Sequence, residues 1–274
     1  MAKICTVKTN GFEMEYAYFG RGKRAFVILP GLGIQSILNA VDQVEDAFRF
    51  MEDDLTVFLF DKRKDIPPVY SIQDMAEDTA AAMKEAGLAD VFLFGASQGG
   101  MIAMEIAIHH PELVSKLVLA STAARVGSEK RSAIESWIDL AKKKDAMALC
   151  HAFAKAIYPE NVYEQSRDYF TQMAETVTDQ ELKRFLILAE SIRGFDALSD
   201  IERIGCPILL IGAKDDEVLG SDAADEIAKR LGSRDDVTMH LYEGYGHAVF
   251  DTAPDFRPRV YAWLMNRPFD AQNL

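Results

Sequence analysis

Short segments of almost uninterrupted apolar residues constrain the fold of this chain most strongly. They lie at residues 25–29, 55–60, 91–94, 116–120 and 208–211. A β-strand that is buried on both faces has this pattern, whereas a strand with one wet face alternates apolar and polar residues. Stretches with helical periodicity separate the segments, for example residues 71–86. The alternation predicts an α/β fold with a mostly parallel, doubly wound sheet.

Both ends of the chain extend this pattern. Residues 4–9 and 12–19 are typical of strands, and Asn10-Gly11 between them favours an antiparallel hairpin. Residues 237–242 predict a last strand. Further helices are predicted at residues 100–110, 221–231 and 254–265.

One long region lacks any convincing buried strand. Between residues 121 and 200 we predict amphipathic helices near residues 128–143, 145–157, 161–175 and 178–192. These are too many for one crossover, so we interpret residues 121–200 as a helical cap inserted into a core domain of residues 1–120 and 201–274. The alternative is that the helices only cover a sheet face. The large apolar residues nearby are predicted to be mostly core, with a minority from the cap lining a pocket: Met101, Met104, Phe153, Phe170, Met173, Phe185 and Leu186.

Composition limits the possible partners. The chain has 274 residues, 49% of them hydrophobic, and 43 acidic against 30 basic side chains give a net charge of −13. A field of this sign repels phosphate backbones and anionic lipids, so we expect no nucleic acid and no membrane as partner. The N-terminus turns polar too early for a signal peptide, and no run approaches the ~18 apolar residues of a membrane span. The cytoplasm is therefore the expected location.

The sharpest chemical signal is Gly-Ala-Ser-Gln-Gly-Gly at residues 95–100, between a predicted strand and a predicted helix. So tight a turn needs glycines beside Ser97, and it lifts the serine oxygen above the end of the sheet. The turn also places the backbone amide of Gln98 where a developing oxyanion would lie. Ser97 is therefore the candidate nucleophile.

A serine hydroxyl needs a base, and the base needs an orienting acid. Later strands end at Asp215 and at Gly246-His247, which gives the chain order serine, aspartate, histidine. We favour Asp215 as the acid, and its neighbour Asp216 is the alternative. The other common acid position, after the strand at residues 116–120, holds Ser121 and Thr122 instead.

On the motif around Ser97, the segment 212–215 and Gly246-His247, the chain resembles the α/β-hydrolase superfamily over nearly its whole length. The resemblance implies a Ser-His-Asp mechanism without a cofactor. It also implies a second oxyanion donor in the loop 29–33, by position the backbone amide of Leu32. Relatives usually carry His-Gly in this loop, whereas this chain has Pro30, which leaves the support of the loop open.

Two other kinds of site are weakly indicated. Residues 31–36 resemble a dinucleotide fingerprint with Asp61 as ribose partner, but Pro30 interrupts it and Ser36 replaces the third glycine. His151 and His240 have no partner at ligand spacing, so no metal site is expected. The three cysteines are too far apart in sequence for a metal site or a disulfide scaffold, and we expect reduced thiols.

The favoured function is hydrolysis of a small-to-medium apolar ester, lactone or thioester, with a small apolar molecule as the binding partner. Several alternatives use the same triad: carbon–carbon bond hydrolysis, cofactor-free haloperoxidase-like activity, acyl transfer, or removal of N-terminal residues with Glu164 or Glu175 receiving the amine. A protein of another class, a ligand sensor without turnover, would keep the pocket but release no product.

Overall fold

The computed structural model describes residues 1–9, 11–128 and 131–269. The strands are β1 (Lys3–Thr9), β2 (Phe12–Gly20), β3 (Arg24–Leu29), β4 (Leu55–Arg63), β5 (Val91–Ala96), β6 (Val114–Ala120), β7 (Ile208–Ala213) and β8 (Val237–Tyr242). The helices are α1 (Val41–Phe48), α2 (Ile72–Glu85), α3 (Gln98–His109), α4 (Ser132–Lys142), α5 (Ala146–Ile157), α6 (Glu160–Thr176), α7 (Asp179–Ile192), α8 (Ala223–Leu231), α9 (Val249–Thr252) and α10 (Phe256–Leu264).

The eight strands form one sheet in the order β1-β2-β4-β3-β5-β6-β7-β8. The six strands from β4 to β8 in this order pair in parallel, whereas β1 pairs with β2, and β2 with β4, antiparallel. This arrangement confirms the predicted α/β class with a mostly parallel sheet. The predicted hairpin joins β1 to β2, with Lys3 opposite Tyr18 and Thr9 opposite Phe12. Asn10 itself lies outside the described residues.

Apolar side chains cover both faces of the sheet, which explains why its strands are apolar at successive positions. On β3, Val27 and Leu29 join the larger core on one face, whereas Phe26 and Ile28 join the core on the other. Helices α2, α3 and α8 pack on the first face, and α1 and α10 on the second. The helix α1 is a difference from the sequence analysis, which assigned no element to it.

Four helices, α4 to α7, lie between β6 and β7, close to the positions predicted for them. The segments that lead into and out of this helical group run side by side. The amide of Val126 donates to the carbonyl of Phe195 at 3.1 Å, and the amide of Ala197 donates to that of Ala124 at 2.8 Å. The group therefore leaves and rejoins the sheet at one place, although its division from the rest as a separate cap stays a prediction.

The direction of the strands determines which edge of the sheet carries the predicted site residues. The carboxyl ends of parallel strands meet at one edge of a sheet, and ligands bind there in open α/β folds. Neighbouring strands β5, β6, β7 and β8 all end at that edge. The loops that follow β5, β7 and β8 carry the predicted nucleophile, acid and base. No helix in the described residues is long and apolar enough to span a bilayer.

Candidate active site

Ser97 occupies a strained turn between β5 and α3. Its backbone has φ 51° and ψ −120°, a conformation with positive φ that side-chain-bearing residues seldom adopt. The glycines around it are required by close packing: a Cβ on Gly99 would lie 2.0 Å from the carbonyl oxygen of Leu29, and one on Gly95 would lie 2.3 Å from that of Gly99. The turn therefore packs directly against the end of β3. Helix α3 begins at Gln98, two residues earlier than predicted.

His247 lies next to the serine, as the sequence analysis expects. Its Nε2 is 2.9 Å from the Ser97 Oγ, although the two residues are 150 positions apart. The residue is only 3% exposed. Gly246 before it has φ 64°, a left-handed conformation that glycine adopts without strain, in the loop after β8. The predicted nucleophile and base are thus within reach of proton transfer.

The choice of Asp215 as the acid is wrong in the structure, which brings Asp216 to the histidine instead. Asp216 Oδ2 lies 2.8 Å from His247 Nδ1. Its other oxygen, Oδ1, accepts the backbone N–H groups of Val218 at 2.8 Å and Leu219 at 3.0 Å. Only 7% of Asp216 is exposed. The carboxylate is therefore buried, fully hydrogen-bonded and fixed in direction.

Asp215 points the opposite way, and it shapes the histidine loop. It is exposed, and its two oxygens accept the backbone N–H of Gly244 at 3.2 Å and that of Gly246 at 2.9 Å. The physical reason for the error is the turn after β7, in which the amide of Asp216 approaches the carbonyl of Ala213. This turn directs two consecutive carboxylates to different sides of the chain, and a residue count from the strand end cannot distinguish them.

The environment of Asp216 keeps it ionised and fixes the histidine tautomer. Burial alone raises the pKa of the Asp216 carboxyl, but the His247 ring and the two backbone amides outweigh burial and hold the pKa below its usual value. An ionised carboxylate only accepts hydrogen bonds, so Nδ1 of His247 carries the proton. The lone pair of Nε2 then faces the Ser97 hydroxyl, which is the arrangement a general base needs.

A cavity of about 600 Å³ opens above Ser97 and His247. Its walls are mainly apolar and come from both sides: Ile28, Val44, Phe48 and Phe250 from the core, and Ile134, Trp137, Phe153, Ile157, Phe170, Met173, Leu188 and Ile192 from the four inserted helices. A volume of this size is typical of sites for small organic molecules. Leu32, the predicted second oxyanion donor, also lines the cavity. Donation by the amides of Leu32 and Gln98 stays a prediction.

Of the seven apolar residues singled out in the sequence, Phe153, Phe170 and Met173 line this cavity. Met101, Met104 and Phe185 are fully buried in the core instead. The side chain of Gln98 was not assigned a role. It is buried, and its Nε2 donates to the Leu188 carbonyl at 2.7 Å and to the Ser191 Oγ at 3.1 Å, which ties the serine turn to α7.

Charged residues also line the cavity, and the sequence analysis missed most of them. Arg184 on α7 lies 2.8 Å from Asp61, which also accepts a hydrogen bond from the Ser36 hydroxyl at 2.6 Å. Asp61 is thus paired with protein groups, which leaves the dinucleotide interpretation without its ribose partner. Beside it, Lys62 is buried and also lines the cavity. Arg184, Leu188 and Ile192 recur at intervals of four, a spacing that puts them on one helix face.

A second ion pair lies elsewhere in the wall, between Asp251 and Arg257 at 3.5 Å. Burial raises the pKa of Asp251, and Arg257 and the Tyr158 hydroxyl offset part of the rise. Glu164 and Glu175 are exposed, and neither is among the residues that line the cavity. Within residues 1–9, 11–128 and 131–269, no three His, Cys, Asp or Glu side chains converge as a metal site would require.

The chain is similar to a family model, to curated proteins and to solved structures. The family model Hydrolase_4, described as serine aminopeptidase S33, matches residues 62–253. RutD of Pantoea ananatis, whose name proposes carbamate hydrolysis, is 23% identical over 206 residues, 74% of each chain. The 3-oxoadipate enol-lactonase 2 of Acinetobacter baylyi is 21% identical over 218 residues, 78% of this chain and 79% of its own. Among solved structures, MGS-M2, an α/β hydrolase from a Medee basin deep-sea metagenome, matches with a TM-score of 0.84, 20% identity and coverage of 98% and 100% of the two chains.

Proposed function

Because this chain belongs to the α/β-hydrolase family of the serine aminopeptidase S33 model, we propose that it is a serine hydrolase that cleaves small-to-medium apolar esters, lactones or thioesters. The observation that carries the proposal is the continuous hydrogen-bonded series from Ser97 through His247 to Asp216, at 2.9 and 2.8 Å, on the floor of an apolar cavity.

The reaction proceeds in two half-reactions. Ser97 Oγ attacks the substrate carbonyl carbon while its proton passes to His247 Nε2, and Asp216 stabilises the imidazolium. The backbone amides of Leu32 and Gln98 donate to the tetrahedral oxyanion. His247 then gives the proton to the leaving oxygen or sulfur, which departs and leaves an acyl ester on Ser97. Water, deprotonated by the same histidine, attacks that ester, and the acid is released as Ser97 regains its proton.

The charges of the cavity favour this substrate class over an N-terminal peptide. A peptide's terminal ammonium needs an unpaired carboxylate near the nucleophile. Among the described residues that line the cavity, the carboxylates are Asp61 and Asp251, and each is already paired with an arginine, Arg184 or Arg257. The apolar walls instead suit an uncharged acyl chain.

Carbamate esters belong in the same experiment, because the similarity to RutD favours them and their carbonyl is open to the same attack. The test is a hydrolysis panel of p-nitrophenyl butyrate, a small lactone, a butyryl thioester, a p-nitrophenyl carbamate and leucine p-nitroanilide. We expect turnover of the uncharged acyl compounds and little cleavage of the anilide. Faster cleavage of the aminoacyl anilide would establish a peptidase instead.

A serine substitution tests the mechanism itself. Ser97→Ala should lower kcat for p-nitrophenyl butyrate by about 10⁴-fold or more and abolish labelling by a fluorophosphonate probe. Ser115→Ala is the matched control, since its hydroxyl donates to the carbonyls of Asp90 and Val91 at the opposite end of the sheet. A sensor without turnover would bind the apolar compounds and release no p-nitrophenol. Wild-type rates in Ser97→Ala would refute the proposed mechanism.

A further inference from the structure

A buried lysine holds the loop in which the sequence replaces the usual histidine with Pro30. Lys62 lies near the end of β4, and its Nζ donates to the backbone carbonyl of Pro30 at 2.8 Å and to that of Gly31 at 2.8 Å. The residue is 8% exposed. The loop therefore has a support after all, and it comes from the neighbouring strand.

Because the peptide bond is planar, the hydrogen bond from Lys62 to the Gly31 carbonyl also affects the Leu32 amide, the predicted oxyanion donor. The Gly31 carbonyl and the Leu32 N–H belong to one planar trans peptide unit, in which C=O and N–H point in opposite directions. A cation that fixes the carbonyl therefore also fixes the direction of the N–H. The loop lies close to the nucleophile, since a Cβ on Gly31 would lie 3.1 Å from the Ser97 Cβ.

The ammonium group of Lys62 is hydrogen-bonded to the loop 29–33 and, within the described part of the chain, does not form a salt bridge. Lys62 Nζ forms no salt bridge within 4.0 Å to a carboxylate of the described residues, although Asp61 is its neighbour in sequence. Asp61 is held by Arg184 at 2.8 Å and by the Ser36 hydroxyl, and it accepts the backbone N–H of Lys62, not its side chain. Burying a cation without a directly paired carboxylate is unfavourable, so this placement suggests a role that offsets the cost.

We propose that Lys62 is a positioning residue for the oxyanion site, which orients and polarises the Gly31–Leu32 peptide so that its N–H stabilises the transition state. This inference rests on the proposed function, because it concerns the oxyanion of that reaction. A hydrogen bond to the carbonyl of a peptide strengthens the N–H of the same unit as a donor, and a charged donor does so most.

The titration of Lys62 agrees with this placement. Burial lowers the pKa of the ammonium group to about 8, where Asp61 opposes the shift and Arg184 adds to it. At pH 7 the group is therefore still charged. It can therefore polarise the carbonyls of Pro30 and Gly31 at neutral pH.

The test compares Lys62→Met, which keeps the length and removes the donor, with Arg63→Met. Arg63 is the adjacent cation on β4; it pairs with Asp78 at 3.1 Å and does not line the cavity.

In Lys62→Met we expect kcat and kcat/KM for p-nitrophenyl butyrate to fall together by about 10- to 100-fold, as for a misplaced transition-state contact. The affinity for a trifluoromethyl ketone, which forms an oxyanion on Ser97, should fall in parallel. Binding of the unreactive methyl ketone and all constants of Arg63→Met should change less than about threefold.

Lys62→Gln keeps an N–H donor without the charge, and it carries the test where Lys62→Met does not fold. If both variants fold, the kcat of Lys62→Gln should lie between those of wild type and Lys62→Met. If only Lys62→Gln folds, its kcat should be about fivefold or more below that of wild type. If whichever of these variants folds keeps wild-type kcat and trifluoromethyl ketone affinity, the inference is wrong. An equal loss in the methyl ketone affinity would also overturn it, because a merely structural role disturbs ground-state binding. Ser97→Ala separates the two proposals: full activity there refutes the hydrolase mechanism, whereas normal Lys62 variants with inactive Ser97→Ala refute only the role of Lys62.

Discussion

Asp215 and Asp216 are neighbours of the same chemistry, and the structure gives them different tasks. Asp216 is buried against His247, whereas Asp215 is exposed and accepts two backbone amides of the histidine loop. We predict that Asp216→Asn lowers kcat for p-nitrophenyl butyrate by about 10³- to 10⁴-fold, because an amide in place of the carboxylate favours the wrong imidazole tautomer. Steady-state kinetics at pH 7 measure the effect.

Asp215→Asn is the matched control for this prediction. Its side chain retains one oxygen that can accept a hydrogen bond from the amides of Gly244 or Gly246. We therefore expect kcat to fall less than about tenfold, which corresponds to the weakening of one hydrogen bond. Circular dichroism should show both variants folded. A larger loss in Asp215→Asn than in Asp216→Asn would return the acid to Asp215 and contradict the structure.

The structure brings together the two predicted residues whose positions the backbone itself marks. Ser97 is flanked by glycines that close packing requires, and His247 follows Gly246 with its positive φ, so both leave a signal in the sequence. The distinction between Asp215 and Asp216 depends on the turn after β7, and this turn leaves no signal in the sequence. Lys62 was overlooked for a physical reason: a lysine is seldom buried, so its placement under the loop cannot be inferred from residue type.

At the scale of elements, the turn that carries Ser97 packs closely against the end of β3. A Cβ on Gly99 would lie 2.0 Å from the Leu29 carbonyl oxygen and 2.7 Å from that of Pro30, so backbone atoms would have to move. We predict that Gly99→Ala lowers the free energy of unfolding by about 3 kcal/mol or more, measured by urea denaturation. Activity should fall with it, because the turn of Ser97 and the loop 29–33 are the groups displaced.

Gly194 provides the matched substitution, since an added Cβ there meets no atom within 4 Å and its φ is not positive. Gly194→Ala should leave stability unchanged or raise it by about 0.4–1 kcal/mol through a less flexible unfolded chain. If Gly99→Ala were as stable as Gly194→Ala, the described packing of the turn would be incorrect.

The inserted helices set the size of the cavity, and Phe153 is the residue through which this can be tested. Its ring lies 4.6 Å from that of Trp137, and both line the cavity. We predict that Phe153→Ala shifts the preferred acyl chain to longer p-nitrophenyl esters. Each added methylene that becomes buried should raise kcat/KM up to about fourfold relative to wild type, from ~0.8 kcal/mol per methylene. A chain-length series from acetate to decanoate measures the shift.

Phe50→Ala is the control for the size effect, because Phe50 is 50% exposed and does not line the cavity. Its chain-length profile should match that of wild type. An unchanged profile in Phe153→Ala would mean that the acyl group binds in another part of the cavity. Which helical residues face the substrate was beyond sequence reasoning, since periodicity gives an apolar face of a helix but not its rotation relative to the sheet.

At the scale of the whole molecule, an acidic protein of net charge −13 keeps the cation of Lys62 buried beside its candidate active site, and this affects stability. The pKa of this group is about 8 in the folded protein, whereas its ordinary value is 10.5. Below pH 8 both the folded and the unfolded chain carry the proton, so the unfavourable burial of the charge is fully present. Between pH 8 and 10.5 the folded chain releases the proton and the unfolded chain retains it, so this burden is relieved as the pH rises.

We therefore predict that the free energy of unfolding of wild type rises relative to that of Lys62→Met between pH 7 and pH 9.5, by about 2 kcal/mol. Urea denaturation of both proteins across this range measures the difference. The comparison cancels the ionisation of the tyrosines, such as Tyr70 and Tyr242, whose pKa values burial raises and which titrate in both proteins. Arg63→Met should show no such pH-dependent difference, because an arginine keeps its charge throughout this range. A difference that stays flat with pH would show that Lys62 loses its proton at an ordinary pKa, and hence that its ammonium group is better solvated than its contacts with Pro30 and Gly31 indicate.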